Sequence, residues 1–333
     1  MDDIQGRKRK QWIDFLRGLA VLFVLFGHVL EKTDNTYYYY VFTSPIKIPL
    51  FFVISGYLFY CNRSFPAFFK RVWTGLILPW LVLSILPIVV ISAIKGIPYF
   101  YENVGDVVTG RSVWYMPCCI IAELMFFFIV KATRKITTLG MVIICIVSAL
   151  IGEMLIVRHQ LDFLMFNRAL TVQLFLLAGY LFKRYEKQLD EIKGVYLWCG
   201  VCLYVMLGMI SIICYPGANL DVHTGEYYNP AISISMILIG CFCIFYIAKR
   251  YDWKSRVITF VGQNSLVFYI WAGYGLAAFT IVSSFTGMII SNQILLAIAQ
   301  FFVICIFCTI ASIVINRFLP EAVGRKRVRK SVM

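Results

Sequence analysis

Ten apolar stretches, most of them about 20 residues long, alternate along this chain with short polar segments. A helix needs about 20 mostly apolar residues to cross a bilayer, so each stretch is a candidate span. We place the spans at residues 12–31, 45–61, 73–94, 113–130, 138–157, 168–182, 195–214, 231–248, 262–285 and 293–316. Because the 168–182 stretch is short, the number of spans stays open there.

The composition excludes a soluble fold. Apolar residues make up 61% of the sequence and charged residues only 14%, whereas soluble globular domains carry roughly 45–50% and about 25%. Too little polar surface remains to dissolve a chain of 333 residues. We therefore expect an all-α fold, a polytopic membrane protein built as a bundle of about 10 transmembrane helices.

Basic residues lie in every second loop and in both tails. Under the positive-inside rule, this distribution places the N- and C-termini in the cytoplasm. The predicted domains are a basic cytoplasmic segment at 1–11, a transmembrane domain at 12–318, and a basic cytoplasmic tail at 319–333 that contacts anionic membrane lipid. The net charge of +14 is spread over these loops, so we expect no nucleic acid partner.

The loops on the opposite side are rich in Tyr, Asn, Gly and acidic residues; they comprise Thr33–Tyr40, Lys95–Arg111, Arg158–Arg168 and Tyr215–Asn229. We interpret the run Tyr37–Tyr40 as interface anchors, the usual role of aromatic residues at that depth. The chain has 11 Cys, and their spacings fit neither a disulfide framework nor a zinc site. The sequence therefore predicts no metal.

The first span carries three ionisable residues, Asp14, Arg17 and His28. A charge in the hydrocarbon costs at least about 2.5 kcal/mol, so each is a functional candidate. The eleven-residue step from Arg17 to His28 is about 20° more than three turns, so both lie on one helix face, about 16 Å apart. Asp14 shares that face and can pair with Arg17. The alternative interpretations are snorkelling of Asp14 and Arg17 to the membrane surface and simple packing of His28.

Five motifs follow one another in an order that resembles the acyltransferase-3 family. They are Arg17-x10-His28, PLFFVISGYLF at 49–59, LILPW at 76–80, WYMP at 114–117 and GQNSLVFYI at 262–270. Each motif is weak alone, but the ordered set is specific and covers most of the chain. Within the family, the sequence looks most similar to the branch that resembles fucose-4-O-acetylases and acetylates cell-surface polysaccharides.

The resemblance implies an acyl-CoA-dependent O-acyltransferase in the bacterial cytoplasmic membrane. Its co-substrate is acetyl-CoA or another acyl-CoA, and its acceptor is a hydroxyl of an extracytoplasmic glycan or lipid-linked sugar. His28 matches the family's histidine and is expected to act as general base or acyl relay, a role that suits an imidazole near neutral pKa. Arg17 is expected to hold negative charge on CoA or on an oxyanion.

The remaining candidate residues are assigned around these two. The catalytic set is His28, Arg17, Asp14 and Glu123; the cofactor-binding set is Arg17, Arg71, Tyr57 and Ser55; the substrate-binding set is Lys47, Trp114, Asn264 and Tyr269. Packing, capping and interface anchoring are the alternative roles of Glu123, Trp114, Asn264 and Tyr269. Two positions depart from the family, because Lys47 and Ala272 stand where it often has His, which leaves activity and acceptor in question.

Two other functions fit parts of the pattern. A transporter or flippase for a small polar or lipid-linked substrate would suit the buried groups Arg17, His28, Glu123 and Glu153, but no internal repeat is visible. A module that binds or senses a ligand is the third option, and the lack of a further soluble domain favours a self-contained enzyme. Acceptor identity, acyl chain length and oligomeric state stay open, a homodimer being one option.

Overall fold

The structure is a computed structural model that describes residues 10–30, 36–61, 64–133, 137–160, 162–217, 220–287 and 290–324. Most of the predicted N-terminal segment 1–11 and much of the predicted tail 319–333 lie outside these residues. The helices are α1 Gln11–Val29, α2 Tyr37–Lys47, α3 Pro49–Leu58, α4 Phe65–Val72, α5 Leu78–Lys95, α6 Ile97–Thr109, α7 Tyr115–Thr133, α8 Thr138–Val157, α9 Phe166–Thr171, α10 Gln173–Arg184, α11 Glu186–Asp190, α12 Gly194–Cys214, α13 Pro230–Arg250, α14 Arg256–Gln263, α15 Ser265–Thr286 and α16 Gln293–Phe318.

The helical content and the spans confirm the predicted fold class. Within the described residues, 9 helical segments are long and apolar enough to cross a membrane. A tenth candidate is Phe163–Thr171 together with Gln173–Arg184, two pieces bent by 53°. This broken segment coincides with the short stretch predicted at 168–182. The direction in which the chain crosses the membrane stays a prediction.

Two polar loops contain more regular structure than the sequence predicted. The segment between α5 and α7 folds as the helix Ile97–Thr109. The segment between α12 and α13 forms a two-stranded antiparallel hairpin of β1 (Leu220–Asp221) and β2 (Glu226–Tyr227). The second span also begins earlier than predicted, at Tyr37 instead of residue 45, so the tyrosine run belongs to a helix.

Two helix pairs approach each other with their backbones in direct contact. A Cβ on Gly56 would lie 1.9 Å from the Leu176 carbonyl oxygen, and one on Gly179 would lie 1.9 Å from the Val53 carbonyl oxygen, which locks α3 against α10. A Cβ on Gly262 would lie 1.7 Å from the Asp14 carbonyl oxygen, which locks α14 against α1. Any side chain larger than hydrogen would force these helices apart.

Candidate active site

The end of α1 that carries His28 is held by tyrosines of α2. The Tyr39 hydroxyl donates to the Phe23 carbonyl at 2.6 Å, and the Tyr40 hydroxyl donates to the Leu30 carbonyl at 2.5 Å. The run that sequence analysis interpreted as interface anchors therefore includes side chains that fix the last turns of α1. The His28 side chain itself is exposed at this end of the helix.

Two charged residues from other elements act on His28, namely Lys47 of α2 and Asp221 of β1. The Lys47 Nζ lies 3.4 Å from the position that a Cβ on Gly27 would occupy, beside the last turn of α1. The same ammonium lies 5.3 Å from the centre of the Tyr40 ring. We call His28, Lys47 and Asp221 the His28 cluster. It brings together one predicted catalytic residue, one predicted substrate-binding residue and an acid that the sequence analysis did not select.

The hairpin that carries Asp221 is tied to two further elements. Arg168 Nε donates to the His223 carbonyl at 2.9 Å. The His223 ring stacks on Trp114, with ring centres 4.7 Å apart and planes inclined by 28°. Burial lowers the pKa of His223, so its ring is neutral near pH 7 and can stack as an aromatic. Trp114, predicted to bind the acceptor, thus lies against the hairpin.

A second cluster lies deeper along α1 and joins four of the predicted residues. Arg71 donates to Glu123 across 3.2 Å, and the Glu123 side chain is only 7% exposed. Ser55 Oγ lies 4.0 Å from Cys119 Sγ, one turn from Glu123, and the charge of Arg17 acts on Glu123. We call Arg17, Ser55, Arg71 and Glu123 the Glu123 cluster. Arg71 thus pairs with Glu123, whereas the charge of Arg17 acts on the same carboxylate without an ion pair.

Two tyrosines connect these clusters. The Tyr115 and Tyr269 rings meet edge to face with centres 5.5 Å apart. The charge of Arg17 reaches Tyr115, and that of Asp221 reaches Tyr269. Tyr269 was predicted to bind the acceptor, whereas Tyr115 was part of the WYMP motif and received no role.

The α1 face between Arg17 and His28 is filled. Val21 and Val24 lie on it and are 0% and 4% exposed, so both side chains are packed against their neighbours. Cavities of about 490 and 290 Å³ lie elsewhere, against Phe182 and Phe242 and against Trp271 and Phe307. The shared face of Arg17 and His28 therefore does not mark an open channel between them in this structure.

Asp14 and Asn264 lie in helix contacts near the start of α1. Gln263 donates to Asp14 Oδ2 at 3.3 Å. Asn264 Oδ1 accepts from Asn316 Nδ2 at 2.8 Å and so joins α16 to the start of α15. Because α14 is locked against α1 at Asp14, Asn264 lies about 20 Å from the level of His28 along the helix axis.

The remaining predicted residue, Tyr57, belongs to a third cluster at the Lys10 end of the bundle. Its hydroxyl donates to Glu186 Oε1 and accepts from Lys10 Nζ, both at 2.7 Å. Lys183 also pairs with Glu186, and Lys249 lies 3.0 Å from it. Burial alone would raise the pKa of Glu186, but hydrogen bonds from Lys183, Tyr57 and Lys249 hold it at about 2. We call these five residues the Glu186 cluster.

Sequence reasoning missed Tyr115, Asp221 and Glu186 for different reasons. Tyr115 stands inside a motif whose other residues attracted attention. Asp221 and Glu186 lie in polar segments, where an acid is ordinary. The available signal for Glu186 was its position as an acid within a strongly basic loop.

The acyltransferase-3 family model, described as an acyltransferase domain, matches residues 10–317. Neither a curated protein nor a solved structure gives a significant match. Among the residues that the structure describes, no group of three or more His, Cys, Asp or Glu side chains could hold a metal ion.

Proposed function

The chain belongs to the acyltransferase-3 family, and from this premise we propose that it moves an acetyl or other acyl group from cytoplasmic acyl-CoA to a hydroxyl of an extracytoplasmic glycan or lipid-linked sugar. The observation that carries the proposal is the His28 cluster, in which an exposed imidazole at one end of the bundle is acted on by the charges of a lysine and an aspartate. We propose the bacterial cytoplasmic membrane as its location, since the donor lies on the cytoplasmic side and the acceptor on the other.

His28 supplies the base. Its imidazole takes the proton of the acceptor hydroxyl as the hydroxyl oxygen forms a bond to the acyl carbon. The bond from that carbon to the CoA sulfur breaks, and the departing thiol takes the proton from His28. An acyl group carried transiently on His28 is the second route by which the same residue could serve.

The Glu123 cluster supplies the donor side. CoA carries phosphates, and arginine binds phosphate through paired hydrogen bonds. Arg71 is held by Glu123 at 3.2 Å, whereas Arg17 forms no ion pair within the described residues. We therefore assign Arg17 to the negative charge of the donor or of the tetrahedral oxyanion, with Ser55 and Arg71 beside it. Tyr57, predicted to bind the cofactor, is held by Lys10 and Glu186 within the Glu186 cluster, so its part in donor binding stays a prediction.

Transfer of the acyl group also requires a route from the Glu123 cluster to the His28 cluster. They are about 16 Å apart along α1, and Val21 and Val24 close the direct face between them. Tyr115 and Tyr269 lie between the same clusters through their edge-to-face contact. We propose that the acyl-bearing arm passes along these tyrosines when the helices separate.

The test uses purified protein in detergent with radiolabelled acetyl-CoA. Release of labelled acetate, with water as the acceptor, is compared for wild type, His28→Ala, Arg17→Ala and the control His159→Asn. His159 is exposed, and its φ of 51° suits Asn. Turnover by wild type and the control, with loss in His28→Ala, supports the proposal.

Folded wild type that neither hydrolyses acetyl-CoA nor is stabilised by it overturns the proposal. The buried charges of the bundle would then favour a transporter or flippase. The melting temperature of every variant is measured in the same detergent, so that a loss of turnover is separated from a loss of fold.

A further inference from the structure

We propose that Asp221 is the positioning residue of His28, and that the hairpin Leu220–Tyr227 exists to hold its carboxylate there. The inference rests on the proposed function for the catalytic role of His28, but it concerns the effect of the Asp221 charge on the His28 ring, which can be measured without turnover. Four features of the structure carry it.

The first feature is the local geometry of Asp221. Its Oδ1 accepts from the His223 backbone N–H at 2.8 Å, and its carbonyl accepts from the Gly225 N–H at 2.9 Å. Gly225 has a φ of 75°, which closes the turn. Oδ2 makes no hydrogen bond to a residue that the structure describes. One carboxylate oxygen therefore fixes the side chain, and the other can accept from a further donor.

The second feature is the anchoring of the hairpin. Leu220 and Val222 on either side of Asp221 are 8% and 4% exposed, so both point into the core. Arg168 binds the His223 carbonyl, and Trp114 stacks on the His223 ring. A segment of this length has no independent stability. These contacts supply it and leave the carboxylate little freedom.

The third feature is the path from the hairpin to His28. β1 packs against α2, and the Tyr37 hydroxyl of α2 donates to the Tyr215 carbonyl at 2.8 Å, at the start of the hairpin segment. The same helix binds the last turn of α1 through Tyr40. The helix α2 thus supports both the hairpin and the end of α1, which carries His28.

The fourth feature is electrostatic. Among the described residues, the charges that act on His28 are those of Lys47 and Asp221, which have opposite signs. The imidazole becomes positive while it holds the acceptor's proton, and a fixed carboxylate nearby stabilises that state by its charge, without a hydrogen bond or ion pair to His28 in the structure. Lys47 disfavours the same state. Asp221 therefore supplies the balancing charge at the moment of transfer.

The decisive variant is Asp221→Asn. Asn keeps an oxygen that accepts from the His223 N–H, so the turn is preserved while the charge is lost. The matched control is Glu226→Gln, which removes the same charge from the residue paired with Asp221 in the hairpin register. Glu226 is exposed. Asp221→Glu, which restores a carboxylate, is the second variant.

Two readouts are made on full-length protein in detergent. The first is acetyl-CoA hydrolysis with separate kcat and KM. We expect Asp221→Asn to lower kcat about tenfold or more with KM unchanged, as expected when charge stabilisation in the transition state is lost. Glu226→Gln is expected to match wild type, and Asp221→Glu to recover part of kcat.

The second readout is the ¹⁵N spectrum of histidine-labelled protein, which reports the ring nitrogen that carries the proton. The chain has only 3 His, so His28 is assigned by the loss of its signals in His28→Ala. We expect Asp221→Asn to change the His28 signals and Glu226→Gln to leave them unchanged. Unchanged His28 signals in folded Asp221→Asn, or an equal change in Glu226→Gln, overturn the inference. Absence of hydrolysis by wild type overturns the proposed function alone, because the spectrum does not depend on turnover.

Discussion

The two ends of the bundle hold charged clusters of opposite construction. Around Glu186, three lysines and the Tyr57 hydroxyl surround one carboxylate, and the partners lie at hydrogen-bond or ion-pair distance. Around His28, the charges of Lys47 and Asp221 act on a ring that is exposed and that donates no hydrogen bond to any described residue. A closed network holds helices together, whereas an open one retains capacity for a ligand.

The two clusters also represent two kinds of residue, those that hold the fold together and those that carry chemistry. Dense pairing marks a residue whose loss disturbs the fold, because each neighbour is left buried or uncompensated. Sparse contacts in a family motif mark a residue whose loss disturbs chemistry. Four experiments test this division, and they follow in order of expected effect.

The largest effect is expected for His28→Ala. Turnover of acetyl-CoA should fall about 100-fold or more, the range for a lost general base, while the melting temperature stays near that of wild type. The measurement is acetate release together with thermal unfolding in one detergent. A large fall in melting temperature would show that His28 stabilises the fold, and the difference between the His28 cluster and the Glu186 cluster would then disappear.

Glu186→Gln should do the opposite of His28→Ala, lowering the melting temperature and leaving turnover nearly unchanged. The substitution leaves Lys10, Lys183 and Lys249 close together without their shared carboxylate. We expect a melting temperature lower by several degrees, with little change in turnover by the protein that remains folded. A large loss of turnover at unchanged melting temperature would show instead that this end takes part in the reaction.

The pH dependence of the melting temperature should also test whether the Glu186 carboxylate stabilises the fold. The pKa of Glu186 falls from an ordinary value of 4.5 to about 2 in the folded protein. Its contribution is therefore complete above pH 4.5 and is lost as the pH falls through that window towards 2. The melting temperatures of wild type and Glu186→Gln should converge as the pH is lowered from 6 to about 3. A gap that stays constant would contradict the assignment.

The smallest effect is expected for Asp190→Asn. Asp190 pairs with Lys249, but its side chain is 54% exposed, and exposed ion pairs contribute about 0–1 kcal/mol. The melting temperature should stay within about 2 °C of wild type. Since Asp190 and Glu186 share Lys249, this variant is also the control for Glu186→Gln. An equal loss in both variants would mean that total charge, and not the closed network, stabilises this end.

The sequence predicts the spans well because the bilayer imposes a length. Each apolar run near 20 residues became a helix, as with 138–157, which the structure bounds as Thr138–Val157. The eleven-residue step from Arg17 to His28 is likewise a property of one helix. The hairpin was not predictable in this way, since strands of two residues carry no alternation that a pattern could show.

Contacts between segments that are distant in the sequence cannot be predicted from the hydrophobic pattern of either segment. Arg71 and Glu123 are each visible as charged residues, but their pairing across 3.2 Å depends on how α4 meets α7. The hairpin that carries Asp221 packs against α2, which also binds the end of α1, and no local feature of the polar loop indicates this. Asn264 and Tyr269 share one motif, yet one binds Asn316 and the other contacts Tyr115. Asn264 lies just before α15 and Tyr269 five residues further along the chain, so the two side chains contact different parts of the bundle.

The backbone contacts at the glycines make two helix interfaces intolerant of any side chain. Gly56 and Gly179 bring α3 against α10, and Gly262 brings α14 against α1. Ser55 directly precedes Gly56, so the position of this donor-side residue depends on how closely α3 approaches α10. The mutational sensitivity of such a site therefore extends to glycines that touch no substrate.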